Sequence, residues 1–369
     1  MRKILLGALA LVTSAFFFGS AQADVAISGF FQQIIGMGDD TTGGITHEFD
    51  RINFNASTTT DNGWEVGGTL QHEPTLDRTA GPTTLRMHVT NNLGTVTIGN
   101  TTDAVTNTMS RVAAMVPGGG TDAGYQYLFT GGGTQGDRGV RVAEAYYAMN
   151  GARVVYSPPS INGINVNISY TPTQEENTMS DRDRSTNGTT TTATHQETIE
   201  VAANYSGELE GIGYTLSLGT KNGNGIPAWG ANANDLNVIT GAIVLTHGDW
   251  TVGYMHYDNG DSYGNATDST KASSWGQNVA LTYNMGNITL GAGWSEQVAV
   301  NGTFYNSLVA ASNINGTQVT NITHFGIGYN LGGGVGTYIQ MSDFDNNDGD
   351  SMTTETSPQV VFAGISVGF

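Results

Sequence analysis

The sequence predicts an all-β chain: a transmembrane, antiparallel, up-and-down β-barrel of about sixteen strands. Three observations predict it. The chain opens with an export signal, apolar and polar residues alternate with period two in segment after segment, and short and long connections between those segments take turns.

The signal occupies residues 1–23. Arg2 and Lys3 supply the positive start, Ile4 to Gly19 supply an uncharged, mostly apolar run, and Ala21-Gln22-Ala23 matches the small-x-small cleavage pattern. The mature barrel domain is therefore expected to be residues 24–369. A membrane anchor is the competing reading, but the run is short for a spanning helix and a cleavage-like site follows at once. No second long apolar run follows, so nothing after residue 23 reads as a spanning helix. With no Cys the exported chain has no disulfides, and 52 Gly against 8 Pro, amid abundant Thr and Asn, favour strands and turns. Charged residues make up 12% of the chain, well below the ~25% of an average soluble domain.

The strands can be taken in order. Asp24 to Gly36 is an apolar, Gly-punctuated strand whose parity blurs at Phe30 and Phe31, where a bulge is expected. In His47 to Thr58, Ile52, Phe54 and Ala56 share one face and Arg51, Asn53 and Asn55 the other. Thr60-Asp61-Asn62-Gly63 is a tight-turn signal, after which Trp64, Val66, Gly68 and Leu70 alternate with Glu65, Thr69 and Gln71. Beyond a loop from His72 to Pro82, Leu85, Met87 and Val89 alternate with Arg86, His88 and Thr90, and the chain turns into Thr95 to Gly99. The rhythm then breaks: Asn100 to about Asn150 shows no strand–turn–strand pattern, yet its apolar residues argue against simple disorder. It resumes at Ala152 to Pro158 and at Ile164 to Thr171, the cleanest alternation in the chain. Further strands read at 199–205, 214–221, 236–246, 250–257, 278–285, 288–295, 325–331 and 335–341, with short turns at Gly248-Asp249, Gly286-Asn287 and Gly332-Gly333-Gly334. The connections at 222–235, 258–273, 299–318 and 343–357 read as long, polar loops. The last strand, PQVVFAGISVGF, places Val361, Ala363, Ile365, Val367 and Phe369 on one face and small or polar residues on most of the other. Aromatics at many strand ends suit interfacial girdles, and a barrel of about sixteen strands leaves an aqueous channel.

Three stretches carry a family resemblance: DVAISGFFQQ after the signal, FDRINFNASTTTDNGWEVGG at 49–68, and LGTVTIGNTTDA at 93–104. With the long segment after the fifth strand and the aromatic last strand, the chain resembles the trimeric general porins of Gram-negative bacteria, especially the alphaproteobacterial type. The resemblance implies an outer-membrane location, a homotrimer, and a long third external loop that folds into the lumen and narrows it. It further implies that loop acids face basic groups on the opposite wall. Carried over, the loop is about Asn100 to Asn150, with Asp103, Asp122, Asp137 and Glu144 as its acids. The expected wall groups are Arg51, Arg86 and His88, whose strand parity independently points them inward, and Arg153 with the same parity. The bland alternative is that these are solvated polar-face residues. Phe369 is the expected signal read by the outer-membrane assembly machinery, and lipid and small hydrophilic solutes and ions are the other expected partners.

Enzyme signals are poor. Gly364-Ile365-Ser366-Val367-Gly368 fits G-x-S-x-G but lacks the helix that elbow requires, and His47-Glu48 lacks the second His of a zinc helix. No cofactor is implied. The acids Asp343, Asp345, Asp348 and Asp350 around Gly349 suggest calcium, but the Gly stands one place too late for the EF-hand pattern. A solvated loop is expected there, with weakly bound calcium the alternative.

Charge sets the remaining expectations. Thirteen basic and 32 acidic residues give −19, and loss of Arg2 and Lys3 with the signal makes the mature chain −21. That excludes nucleic acid, whose binders cluster Lys and Arg. It favours a passive diffusion channel that prefers cations. A substrate-selective channel is the nearer alternative. A soluble exported β-helix or surface-array protein is the remoter one, since no repeat of about 20–30 residues appears.

Overall fold

The computed structural model describes residues 24–38, 43–46, 50–72, 84–119, 151–173, 195–225, 227–228, 231–232, 234–262, 273–306, 309–348 and 359–369. Sixteen strands close into one antiparallel ring. The first five are β1 (Asp24–Gly38), β2 (Arg51–Thr59), β3 (Glu65–His72), β4 (Thr84–Asn91) and β5 (Gly94–Thr101). After the rhythm break come β6 (Gly151–Ser157), β7 (Ile164–Thr173), β8 (His195–Leu209), β9 (Ile212–Gly225) and β10 (Leu236–His247). The ring ends with β11 (Trp250–Gly260), β12 (Ser273–Met285), β13 (Ile288–Asn306), β14 (Val309–Gly332), β15 (Val335–Asp348) and β16 (Gln359–Gly368). Each pairs with its successor, and β16 returns to β1 through Phe30↔Gly368 to Gly38↔Val360, so no edge is left open.

β1 changes partner halfway. Its first half pairs with β2, and on that same side its second half meets a three-residue strand, Gly44–Thr46. The Gln32 N–H, between the two, donates to Asp50 Oδ1 at 2.7 Å, so the side chain replaces a missing ladder bond. No register shift interrupts β1 at Phe30 or Phe31, so the bulge expected there is absent; Phe30 pairs with Arg51 on one side and Gly368 on the other.

The period-two pattern sorts outside from inside. Ile27, Leu85, Leu216, Ile239, Leu281, Phe325 and Ile365 point outward and stay exposed, while their strand neighbours turn to the lumen. At the short-turn end the outer belt finishes in aromatics: Trp250 and Tyr283 lie 4.5 Å apart between ring centres, and Tyr205 and Tyr214 5.9 Å. The turns there are tight because Asn162-Gly163 and Glu210-Gly211 both hold positive φ, as two-residue hairpins require.

Two expectations about connections change. Most of 299–318, expected as a polar loop, is strand: β13 and β14 stay paired as far as Asn306↔Val309, with register shifts near Val300 and Phe304. Likewise β15 continues to Asp348, so Asp343 and Asp345 stand on the outer face of a strand rather than in a loop. The repeating backbone ladder tolerates polar side chains on both faces once a strand has left the membrane, so composition alone misplaces its end.

Candidate functional site

The chain leaves β5 and enters the ring. Asp103 caps a five-residue helix, α1 (Ala104–Thr108), accepting the Thr106 N–H at 2.7 Å, and a 3-10 turn follows at Val112–Ala114. The wall receives α1 through side chains that parity aims inward. The Ala104 N–H donates to Ser169 Oγ at 3.0 Å, Asn167 Nδ2 donates to Thr108 Oγ1 at 2.8 Å, and Asn204 Nδ2 donates to the Thr108 carbonyl at 3.0 Å. These bonds occupy polar groups at both ends of a helix too short to stand alone.

Beneath the cap lies a knot of four charges. Asp103 Oδ2 is 3.3 Å from Arg153 Nη1 on β6 and 3.2 Å from Lys221 Nζ on β9, and Lys221 Nζ is 3.9 Å from Glu200 Oε1 on β8. Ser169 Oγ donates to Glu200 Oε2 at 3.3 Å. Strand register assembles the wall half of this knot, because Ser169, Glu200 and Lys221 are consecutive cross-strand partners. Two acids and two bases meet here, and all four side chains are no more than 3% exposed. Burial alone pushes the Asp103 carboxyl up, but the charges of Lys221 and then Arg153 outweigh it and hold the group well below the ordinary carboxylate range.

Apolar packing extends the attachment. Val105, Met109, Val112 and Val116 bury against Ala202, Val238, Ala242, Met255, Tyr257 and Ala280, all lumen-facing. Full burial of such a side chain contributes about 1.5–3 kcal/mol, so this seam outweighs any one hydrogen bond. A second apolar cluster, Ile34, Ile322, Phe344, Val360 and Phe362, lies on the lumen side of β14–β16 and β1.

The wall of β2–β5, across the ring, is different. Arg51, Arg86 and His88 point inward and remain partly exposed, amid Asn55, whose Oδ1 accepts from Thr69 Oγ1 at 2.9 Å, and other amides and hydroxyls. His88 lies over Gly67, its Nε2 3.6 Å from Glu65 Oε1. Arg86 and Arg153 flank Gly99 in one register row.

The expected site residues therefore divide. Arg51, Arg86 and His88 share one partly solvated wall. Asp103 and Arg153, expected to face the narrowed lumen, are instead paired with each other and buried, so they present no charge to water. Asp122, Asp137 and Glu144 lie outside the described residues. Among the described residues no cluster of His, Asp and Glu is arranged to hold a metal ion. Glu200, Lys221 and the exposed Arg111 on the entering segment were not singled out from the sequence. The available signal was a charge at lumen parity in the middle of an alternating strand, which Glu200 and Lys221 both show.

None of the curated protein sequences matches this chain. Solved structures do. OmpT of Vibrio cholerae, in-vitro folded, aligns over 96% of this chain and 100% of its own at 15% identity, with a TM-score of 0.63. An anion-selective porin from Comamonas acidovorans aligns over 94% and 100% at 14% identity, TM-score 0.62. A trimer form of the Vibrio cholerae OmpT gives 94%, 99%, 14% and 0.62. At these identities the likeness is one of fold. The sequence itself is matched by a family model for Gram-negative porins across residues 7–349. Family and fold point to a channel rather than an enzyme. With the barrel closed and nearly its whole length matched, the chain belongs to the Gram-negative porins and is a channel protein of the outer membrane.

Proposed function

We propose that this porin is a passive diffusion channel for small hydrophilic solutes and ions, with an overall preference for cations. The observation that carries the diffusion reading is the division of the lumen. One wall is occupied by the docked segment Ala104–Gly119, and the wall across the ring keeps partly solvated Arg51, Arg86 and His88 among amides and hydroxyls. Such a surface replaces part of a solute's hydration without binding it tightly. The cation preference rests on the charge of −21 expected after loss of the signal, which raises cation concentration at the channel mouths. Arg51, Arg86 and Arg111 oppose it locally. Reversal potentials across planar bilayers in a salt gradient test the preference, and an anion-selective reversal would overturn it. Swelling of liposomes in small sugars tests diffusion itself.

We also propose a homotrimer whose outer belt meets membrane lipid. The first strands and the last carry small outward residues, Gly29, Ala56, Gly68 and Ala363, that suit close packing between subunits. Native mass measurement in mild detergent is expected to give three chains; monomers alone would refute the trimer.

A further inference from the structure

We propose that a track of glycines on the lumen wall fixes how far the docked segment stands out into the lumen, and so sets the bore of the channel. The proposal rests on the diffusion-channel reading above and adds the wall residues that determine its size limit.

The track comprises Gly219 on β9, Gly253 on β11, Gly291 and Gly293 on β13, and Gly326 and Gly328 on β14. All six share lumen parity, since their outward neighbours Leu218, Val252, Leu290, Phe325 and Ile327 are exposed. Each would place an added methyl against the docked segment. At Gly219 it would meet Val105 Cγ2 at 3.1 Å, at Gly253 Met115 Sδ at 2.7 Å, and at Gly291 Pro117 Cδ at 2.5 Å. At Gly293 it would meet Val116 Cγ2 at 3.0 Å, besides the His324 ring. At Gly326 the obstacle is backbone, the Pro117 carbonyl oxygen, and at Gly328 it is Pro117 Cβ at 3.2 Å. On the intervening strands the same course is kept by Ala242 and Ala280.

Glycine weakens a strand and is kept where another backbone must come close. Here the register makes a cup: Gly291 and Gly326 are direct cross-strand partners, Gly328 is two residues along, and Pro117 sits against all three. Gly118, at φ +95, then carries the chain onto Gln340 of β15. The segment is therefore pinned at the Asp103 knot, laid in a shallow trough, and seated at Pro117. A methyl on Gly291 has to move Pro117 back about 1 Å to reach ordinary contact, and the wall behind is continuous sheet. Among the described residues the free direction is toward the lumen axis, and a shift that way narrows the passage.

The test is single-channel conductance, with the size limit from liposome swelling, on alanine variants of the full chain. Gly241→Ala, whose methyl would point outward with nothing nearer than 3.8 Å, is the control and is expected to match wild type. Gly328→Ala is expected slightly lower. Gly291→Ala and Gly326→Ala are expected at least about 1.5-fold lower, with a smaller size limit. Adding Pro117→Ala to Gly291→Ala is expected to restore part of the loss, since Val116 Cα and Cγ1, at 3.1 and 3.2 Å, stay against the added methyl. Unchanged or raised conductance in correctly assembled Gly291→Ala and Gly326→Ala barrels overturns the proposal. Should those two fail to assemble, Gly328→Ala, whose one tight contact is the Pro117 side chain, decides by the same criterion. A wild-type protein that conducts nothing would remove the diffusion-channel reading, and this inference with it.

Discussion

Asp103 does three things at once: it caps α1, pairs with both Arg153 and Lys221, and so ties the entering segment to β6 and β9. Its carboxyl is held below its ordinary value of 3.8 by those two bases, against the opposing effect of burial. A lowered folded value means the carboxylate's contribution is complete above that ordinary value and fades as the pH falls beneath it. Docking is therefore expected to hold through mildly acid conditions and loosen only in strong acid. Asp103→Asn removes the charge at every pH and leaves two buried cations with Glu200 alone, a change that costs about 3–5 kcal/mol when one partner of a buried pair is lost. The variant is expected to show at pH 7 the open-channel noise and protease sensitivity near Ala104–Gly119 that wild type shows only in strong acid. Quiet, wild-type-like currents from Asp103→Asn at pH 7 would refute the anchoring role.

β16 shows what an element contributes beyond its residues. It pairs with β15 on one side and β1 on the other, and the Gly29 and Phe369 backbones exchange two bonds, at 2.8 and 3.1 Å. The Phe369 ring lies over Gly29, where a side chain would collide with it, and stacks on Phe31 at 5.4 Å. Deleting Phe369 loses one rung and one ring contact but leaves the lumen untouched. We therefore propose that assembly suffers more than conduction. Membrane-inserted protein is expected to fall severalfold while the barrels that do form keep wild-type conductance, and normal membrane levels would defeat the idea. The same element marks how much is legible in the sequence. Its alternation is readable because period two follows from strand geometry alone. The bulge expected at Phe30 does not form, because two apolar neighbours hide a parity that only the paired strands supply. The charge knot is not readable, since Ser169, Glu200 and Lys221 become neighbours only through register. Nor is the seat of Pro117, since Gly291 and Gly326 look like ordinary Gly-rich strand until they are paired.

For the whole molecule the decisive question is which charges an ion feels. The acids outnumber the bases by 19 overall, yet among the described residues the acid of the docked segment is neutralised in the knot while Arg51, Arg86 and Arg111 keep contact with the lumen. The proposed cation preference thus rests on the surrounding field, opposed inside by a small basic group. Those two contributions respond differently to salt. The Debye length falls from about 10 Å at 0.1 M to about 3 Å at 1 M, so acids spread over the mouths lose their influence on the passage first, while an arginine at the lumen wall still acts on an ion passing beside it. The preference for cations should therefore shrink as salt rises. Replacing Arg51 and Arg86 together with Gln removes the opposition without adding an acid, and both side chains are partly solvated, so the exchange strands no fully buried charge on the wall. The double variant is expected to reverse at a more cation-selective potential than wild type at every salt concentration, with the gap between the two proteins narrowing less than the preference itself as salt increases. Reversal potentials of both proteins, measured in gradients centred on about 0.1 M and on about 1 M, check this. Identical potentials would mean that the permeating ions do not pass along the β2–β5 wall.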